Sequence, residues 1–159
     1  MPKHTIRGGK LLKFDYLIFN SIPNEDVLKG IKELHKLIFS TYDNFDNKIL
    51  SKTKLLVIVA KDGKKVIGYK IGYEIDKNTF YSWLGGVNPD YRGQGIASTL
   101  MEKQHQYLKE KRYKLVQTKT MNRWRNMLVL NIKNGFDIID TYTDEEGLHK
   151  IILEKKLLN

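Results

Sequence analysis

Residues 85–97 read Gly85-Gly86-Val87-Asn88-Pro89-Asp90-Tyr91-Arg92-Gly93-Gln94-Gly95-Ile96-Ala97, and this stretch decides how the chain is read. Two adjacent glycines end an apolar, aromatic run, where missing side chains leave backbone uncovered and invite a bulge or a closely approaching ligand. A glycine-rich turn, Arg92 to Gly95, then opens directly into a helical pattern from Ile96. The first amides of a helix lack intrahelical partners and sit at the positive end of its dipole. Glycines just before them let a phosphate approach without meeting a Cβ. Arg92 adds a charged donor. The plainer reading, a tight turn whose glycines only supply positive φ, stands beside it. Two nucleotide-binding patterns do not fit. No Lys-Ser/Thr pair follows Gly95, as a P-loop requires, and Ser98 stands where a dinucleotide fingerprint has a third Gly or Ala.

The flanking patterns place this loop in a mixed sheet. Before it, Phe14–Phe19 reads as a strand, followed by acids Glu25 and Asp26 at a helix start. Val27, Leu28, Ile31, Leu34, His35 and Ile38 then repeat at helical spacing to near Phe39. Thr41–Lys54 is polar and reads as a loop or short irregular helix. Leu55–Ala60, Val66–Ile75 and Thr79–Val87 are strands joined at Asp62-Gly63 and Asp76-Lys77-Asn78, which predicts an antiparallel meander. After the loop come a helix over Ile96–Lys109, a strand over Lys114–Thr118 and a helix over Asn126–Lys133 that ends at Gly135. Strands over Phe136–Tyr142 and Leu148–Leu153 complete an α/β (α+β) pattern, a mainly antiparallel sheet flanked by helices.

The chain has 159 residues, the size of one domain with its own core, and neither a linker nor a repeat divides it. It contains no Cys, which excludes disulfides, Cys-ligated metal centres and a cysteine nucleophile, and no metal is expected. The formal charge of +10 points to an anionic partner: nucleic acid, a membrane surface or a phosphorylated small molecule. Hydrophobic content of 41% excludes a disordered chain, and the longest apolar runs are too short to span a bilayer. Met1-Pro2-Lys3-His4-Thr5 leads into no secretory apolar region, so a cytoplasmic location is expected and no membrane partner.

Arg92-Gly93-Gln94-Gly95-Ile96-Ala97 resembles the Arg/Gln-x-x-Gly-x-Gly/Ala motif of the GNAT superfamily of acyl-CoA-dependent N-acetyltransferases. Val87-x-Pro89-x-Tyr91-Arg92 is similar to the strand-to-loop approach of these enzymes. Met127-x-x-x-Asn131-x-x-x-Gly135-Phe136 resembles their second block, which ends in Gly-Phe. The resemblance runs from about Leu55 to Leu153 within a single domain spanning 1–159, and the element order agrees with it. It implies a GNAT-like fold that uses acetyl-CoA. Backbone amides from Arg92 through Gly93, Gln94, Gly95 and Ile96 to Ala97 would hold the pyrophosphate, with the Ser98 hydroxyl beside them. It also implies that the strand before the loop parts from its neighbour at a bulge, and that pantetheine pairs with the free edge at Gly85, Gly86 and Val87.

The implied reaction is direct transfer of an acetyl group from acetyl-CoA to a primary amine of a small molecule or protein. With no Cys, an acetyl-cysteine intermediate is impossible. Three tasks follow: deprotonating the amine, stabilising an oxyanion, for which the Val87 amide is available, and protonating the leaving thiolate. Glu74, late in the strand before the loop strand, is the first candidate base, beside the plainer reading of a surface glutamate. His35, His105 and His149, or water, are the alternatives. The resemblance places Asn131 where many members carry a Tyr acid. Asn cannot act as an acid, although its amide can hydrogen-bond sulfur. Trp124 stands where the family often has Asn; it packs either beside pantetheine or, the favoured reading, in the core.

The basic run from Lys109 to Lys114, with Lys119, Arg123 and Arg125, is either solvated surface or an attractor for the 3′-phosphate of CoA. The first helix, the Thr41–Lys54 loop and the aromatic strand should meet the acceptor. Tyr81 and Trp83 share one face there, opposite Phe80 and Ser82. The charge excess argues against a strongly cationic acceptor such as a polyamine, unless the cleft is locally acidic. A homodimer is an open alternative to a monomer. Two other functions remain open: a GNAT-fold sensor that binds CoA without turnover, and, less favoured, a basic nucleic-acid-binding domain.

Overall fold

The run Leu55–Ala60 has no polar face to turn to water, so both its sides must be covered, and the rest of the fold supplies the cover. The computed structural model describes residues 6–7, 10–11, 13–40 and 45–158. In chain order the elements are β1 (Ile6–Arg7), β2 (Lys10–Leu11), β3 (Asp15–Phe19), α1 (Glu25–Phe39), α2 (Phe45–Leu50), β4 (Leu56–Asp62), β5 (Lys65–Asp76) and β6 (Thr79–Val87). They continue with α3 (Ile96–Glu110), β7 (Leu115–Thr120), α4 (Arg125–Lys133), β8 (Asp137–Thr143) and β9 (His149–Lys156). Strands β3 to β9 form one seven-stranded sheet in the order β3-β4-β5-β6-β7-β9-β8, and only the β6–β7 pair is parallel.

Alternation along β4 divides the core in two. Leu56, Ile58 and Ala60 face α3 and join Ile96, Leu100, Met101, Leu108 and Phe136. Val57 and Val59 face α1 and join Val27, Ile31, Leu34 and Tyr69. Asn24 starts α1, its side chain accepting from the Val27 N–H at 3.0 Å, with Glu25 and Asp26 in the first turn where the dipole favours acids. Ser40, left-handed at φ 57°, ends it by donating to the Lys36 carbonyl. At the end of α4, Gly135 has φ 95° and the Phe136 N–H donates to the Asn131 carbonyl. The Gly135-Phe136 pair therefore has a structural reason: the glycine turns the chain and the phenylalanine plugs the core.

The predicted elements form, with four differences. Thr41–Lys54 contains the short helix α2, although residues 41–44, like Met1–Thr5, lie outside the described residues. The first hairpin turns at Gly63-Lys64, one residue later than expected. Pro89–Tyr91 is a turn of 3-10 helix, held by the Asn88 side chain, which accepts from the Asp90 N–H at 2.9 Å.

The fourth difference concerns the bulge, which lies at Trp83 and not at the glycine pair. Ile71 pairs with Leu84 and Gly72 with Ser82, leaving Trp83 as the extra residue. Tyr81 and Trp83 share a face as expected, since both rings meet Tyr73 edge-on. The extra residue adds Leu84 to the same side, and both Trp83 and Leu84 pack on the α1 core. Gly72 makes this register possible. A Cβ there would overlap the Phe80 ring and lie 2.6 Å from the Tyr81 carbonyl oxygen. Gly72→Ala is accordingly expected to destabilise the fold by about 2–3 kcal/mol, read as a lower urea midpoint, because backbone as well as side chain must move.

Candidate functional site

The parallel pairing of β6 with β7 covers only Thr79–Ser82 against Leu115–Thr118. It stops where the Thr118 hydroxyl donates to the Ser82 carbonyl at 2.9 Å, one residue before the bulge. From Trp83 to Val87 the β7 side of β6 has no partner strand among the described residues. The Asn88 N–H donates to Ile67 on β5, so strand alternation turns the Gly85 and Val87 amides outward to that free edge. The gap widens into a cleft of about 910 Å³ that reaches from the start of α3 to the ends of α1 and β9.

At one end of the cleft lies the glycine loop. Gly93 and Gly95 are left-handed, at φ 78° and 79°, and nothing lies within 4 Å of where either would carry a Cβ. Gly95 is the N-cap of α3, with no side-chain cap bond and no acid in the first turn. The Ile96, Ala97 and Ser98 amides are thus free to bind an anion. Two bonds fix the loop from outside. The Thr99 hydroxyl donates to the Gly95 carbonyl at 2.8 Å, and the Tyr91 hydroxyl donates to Asp62 at 2.7 Å. Arg92, Gly93, Gly95, Ile96, Ala97 and Ser98 line the cleft. Gln94 does not: its side chain accepts from Lys13 on the outer surface at 3.1 Å. An open cradle of amides, a free strand edge and a long cleft fit a pyrophosphate-bearing ligand with an extended arm.

The two adjacent glycines have different reasons. A Cβ on Gly86 would sit 2.6 Å from Ile38 Cδ1, so Gly86 lets α1 close onto the sheet. Gly85 faces the α3 side, where a Cβ would lie 3.8 Å from Cγ of Lys70. Lys70 lines the cleft, and no carboxylate is paired with it among the described residues. Burial pulls its pKa down to about 8. This lysine escaped the sequence reading, although its place within Val66-Ile67-Gly68-Tyr69-Lys70-Ile71, a central strand covered on both faces, was a usable signal.

Several candidates lie elsewhere. Glu74 faces the α3 core, where it accepts from the Tyr113 hydroxyl at 2.8 Å, and it does not line the cleft. Alternation from Lys70 sets that face and carries Glu74 away from the opening. His35 sits under α1 against the Tyr69 hydroxyl, and burial, with Lys48, lowers its pKa. His105 is buried beside Phe136; burial and then Lys155, Lys70 and Lys109 pull its pKa to about 3. His149 is exposed, beside Thr143. None of the three lines the cleft.

Asn131 is 3% exposed and does line the cleft, as do Tyr81 and Trp83. Trp124 is not a core residue. It is 37% exposed at the cleft rim, edge-on to Phe39 at 5.6 Å, with the Arg123 guanidinium 4.8 Å from its ring. The basic run is split. Lys119, Arg123 and Arg125 line the cleft, whereas Lys109–Lys114 stands at the opposite end of α3, about 20 Å away along the helix. No groups of acids and histidines that could hold a metal ion occur among the described residues, and no helix there is long and apolar enough to cross a membrane.

The model of the acetyltransferase (GNAT) family matches residues 25–125. No curated protein sequence matches significantly. Among solved structures, a GNAT family acetyltransferase from Elizabethkingia anophelis with acetyl-CoA bound is 21% identical. It superposes with a TM-score of 0.68 over 89% of this chain and 97% of that one. The ribosomal-protein-S18-alanine N-acetyltransferase from Escherichia coli is 14% identical, with a TM-score of 0.76 over 91% and 95%. An aminoglycoside 6'-acetyltransferase type Ii is also 14% identical, with a TM-score of 0.75 over 90% and 98%.

The lowered Lys70 pKa carries a stability signature. Below about pH 8 both folded and unfolded chains hold the proton, and the folded state bears the full burial penalty. Between about 8 and the ordinary lysine value of 10.5 the unfolded chain binds more protons, so this group makes stability rise with pH. Lys70→Met should therefore stabilise the ligand-free protein at pH 7 by on the order of 1–2 kcal/mol. The gain should fade by pH 10.5 in parallel urea titrations. A pH-independent change would show that the ammonium is solvated.

Proposed function

The chain belongs to the acetyltransferase (GNAT) family, an acyltransferase family that uses acetyl-CoA, and from that premise we propose that it acetylates a primary amine bound at the β6–β7 opening. The observation that carries this reading is the alignment of two features on one cleft: the uncapped, acid-free start of α3 and the unpaired edge of β6. When bound, acetyl-CoA supplies the acetyl group as a thioester; the amine forms the new C–N bond as the C–S bond breaks.

Each part of the chain then has a task. Amides of the loop from Arg92 to Ser98 bind the pyrophosphate, and Arg92 adds charge. The outward amides of Gly85 and Val87 align the pantetheine arm, and Val87 N–H is the oxyanion donor. Asn131, on α4, offers its amide to the sulfur. With Glu74 on the same face but four residues farther along β5 and outside the cleft, proton handling falls to Lys70. A pKa of about 8 lies close to that of a thiol, so its Nζ can pass a proton to a leaving thiolate near neutral pH. The amine loses one proton to water through the open cleft before it attacks, and the second, shed by the nitrogen as the C–N bond forms, returns Lys70 to its charged form. Burial raises the Tyr81 pKa, with Tyr73 and Tyr142 adding to it, so that hydroxyl stays protonated and serves only as a hydrogen-bonding group.

Two substitutions at one position separate backbone strain from charge. Gly95→Ala strains a φ of 79° and should weaken acetyl-CoA binding a few-fold. Gly95→Asp adds a carboxylate against the pyrophosphate and should abolish binding in calorimetry while the thermal midpoint matches that of the alanine variant. Equal affinity of both variants would overturn the loop assignment. Thiol release over an amine panel tests the reaction itself: tight acetyl-CoA binding without release from any amine would mean a sensor.

A further inference from the structure

We propose that the acceptor carries an anionic group, a carboxylate or a phosphate, close to its amine, and that Lys119 receives that group over an aromatic bench of Tyr81, Trp83 and Tyr142. The proposal rests on the acetyltransferase reading and adds the substrate class. All ionised side chains lining the cleft among the described residues are cations, and no Asp or Glu lines it. Arg92 belongs to the glycine loop, but Lys119 and Lys150 come from β7 and β9, on the far side of the opening. Lys119 Nζ lies 5.9 Å from the Tyr81 ring and 5.5 Å from the Tyr142 ring, and no acid is paired with it among the described residues.

Two acids of this neighbourhood are already engaged, and Asp140, across β9 from Lys119, lies outside the cleft and accepts from the Thr141 N–H at 2.8 Å. Asp144 pairs with Lys150 at 3.7 Å, and Glu154 accepts from Gln117 at 2.8 Å on the same face of β9 and β7. Across the bench, Lys52 lies 4.5 Å from the Tyr73 ring and 4.8 Å from the Trp83 ring, so ring faces that could attract a foreign cation already carry one. A polycationic acceptor would meet repulsion with nothing to offset it, whereas an anionic group would gain an unpaired, ring-held ammonium. The choice turns on local acidity of the cleft, and no Asp or Glu among the described residues lines it.

The test compares matched acceptors on the full chain: phenylalanine against phenethylamine, phosphoethanolamine against ethanolamine, and spermidine as the polycation. The first two pairs distinguish a carboxylate from a phosphate. The expected result is kcat/KM roughly tenfold or more higher for an anion-bearing member of a pair, with spermidine poorest. Lys119→Gln should raise KM for that acceptor about tenfold at little-changed kcat, leave its uncharged partner unaffected, and leave CoA affinity in calorimetry as in the unsubstituted protein. Calorimetric binding of the same compounds to the CoA-loaded protein gives the second readout, independent of turnover. Preference for spermidine or the uncharged amines, failure of every anionic probe both to bind and to react, or loss of CoA affinity in Lys119→Gln overturns the proposal. Failure of the unsubstituted protein to bind acetyl-CoA overturns the acetyltransferase reading instead.

Discussion

Two neighbouring strands that pair for four residues and then part set the conditions for everything else in this molecule. A parallel pair needs a regular register, and the extra residue at Trp83 ends that register on β6 just beyond the hydroxyl bond from Thr118 to Ser82. From there β6 has a partner strand on one side only among the described residues, and its other edge opens on the cleft. The same strand feeds the 3-10 turn and the glycine loop, so the open edge and the positive end of α3 fall on one line. The glycine loop without the parting would be an anion site with no room for an arm. The parting without the loop would be a groove with nothing at its end.

What was legible in the sequence was what is local. The loop at Arg92–Gly95 could be read because positive φ at glycine and unpartnered helix amides are properties of consecutive residues. Helix α1 could be read because its apolar residues repeat at the helical period, and the meander because its turns carry their own punctuation. What failed depended on where a residue falls once distant elements are packed together. Glu74 shares the face of Lys70 but lies four residues farther along β5, beside Tyr113, and Trp124 stands at the rim as the N-cap of α4. The bulge itself falls at an aromatic residue that no local rule marks. Gly86 is explained only by Ile38, some fifty positions earlier in the chain.

The charge of +10 also resolves into separate parts. One group of cations lines the cleft and a second stands at the far end of α3, and between them that helix carries a single lysine, Lys103. A nucleic-acid surface calls for a continuous basic stripe, whereas a small polyanion calls for a lined concavity.

The sheet also keeps apart two cores that share few side chains. The glycine loop is anchored in one through Ile96 and Leu100, while the aromatic bench leans on the other through Trp83. Substitutions on opposite sides of β4 to β6 are separated by a full layer of backbone, and their effects should add rather than compound. Such an arrangement lets selection redraw the acceptor side in small steps while cofactor handling is inherited intact. That is one physical route by which a single scaffold comes to serve amines as different as a ribosomal protein's alanine and an aminoglycoside in the solved structures that share it.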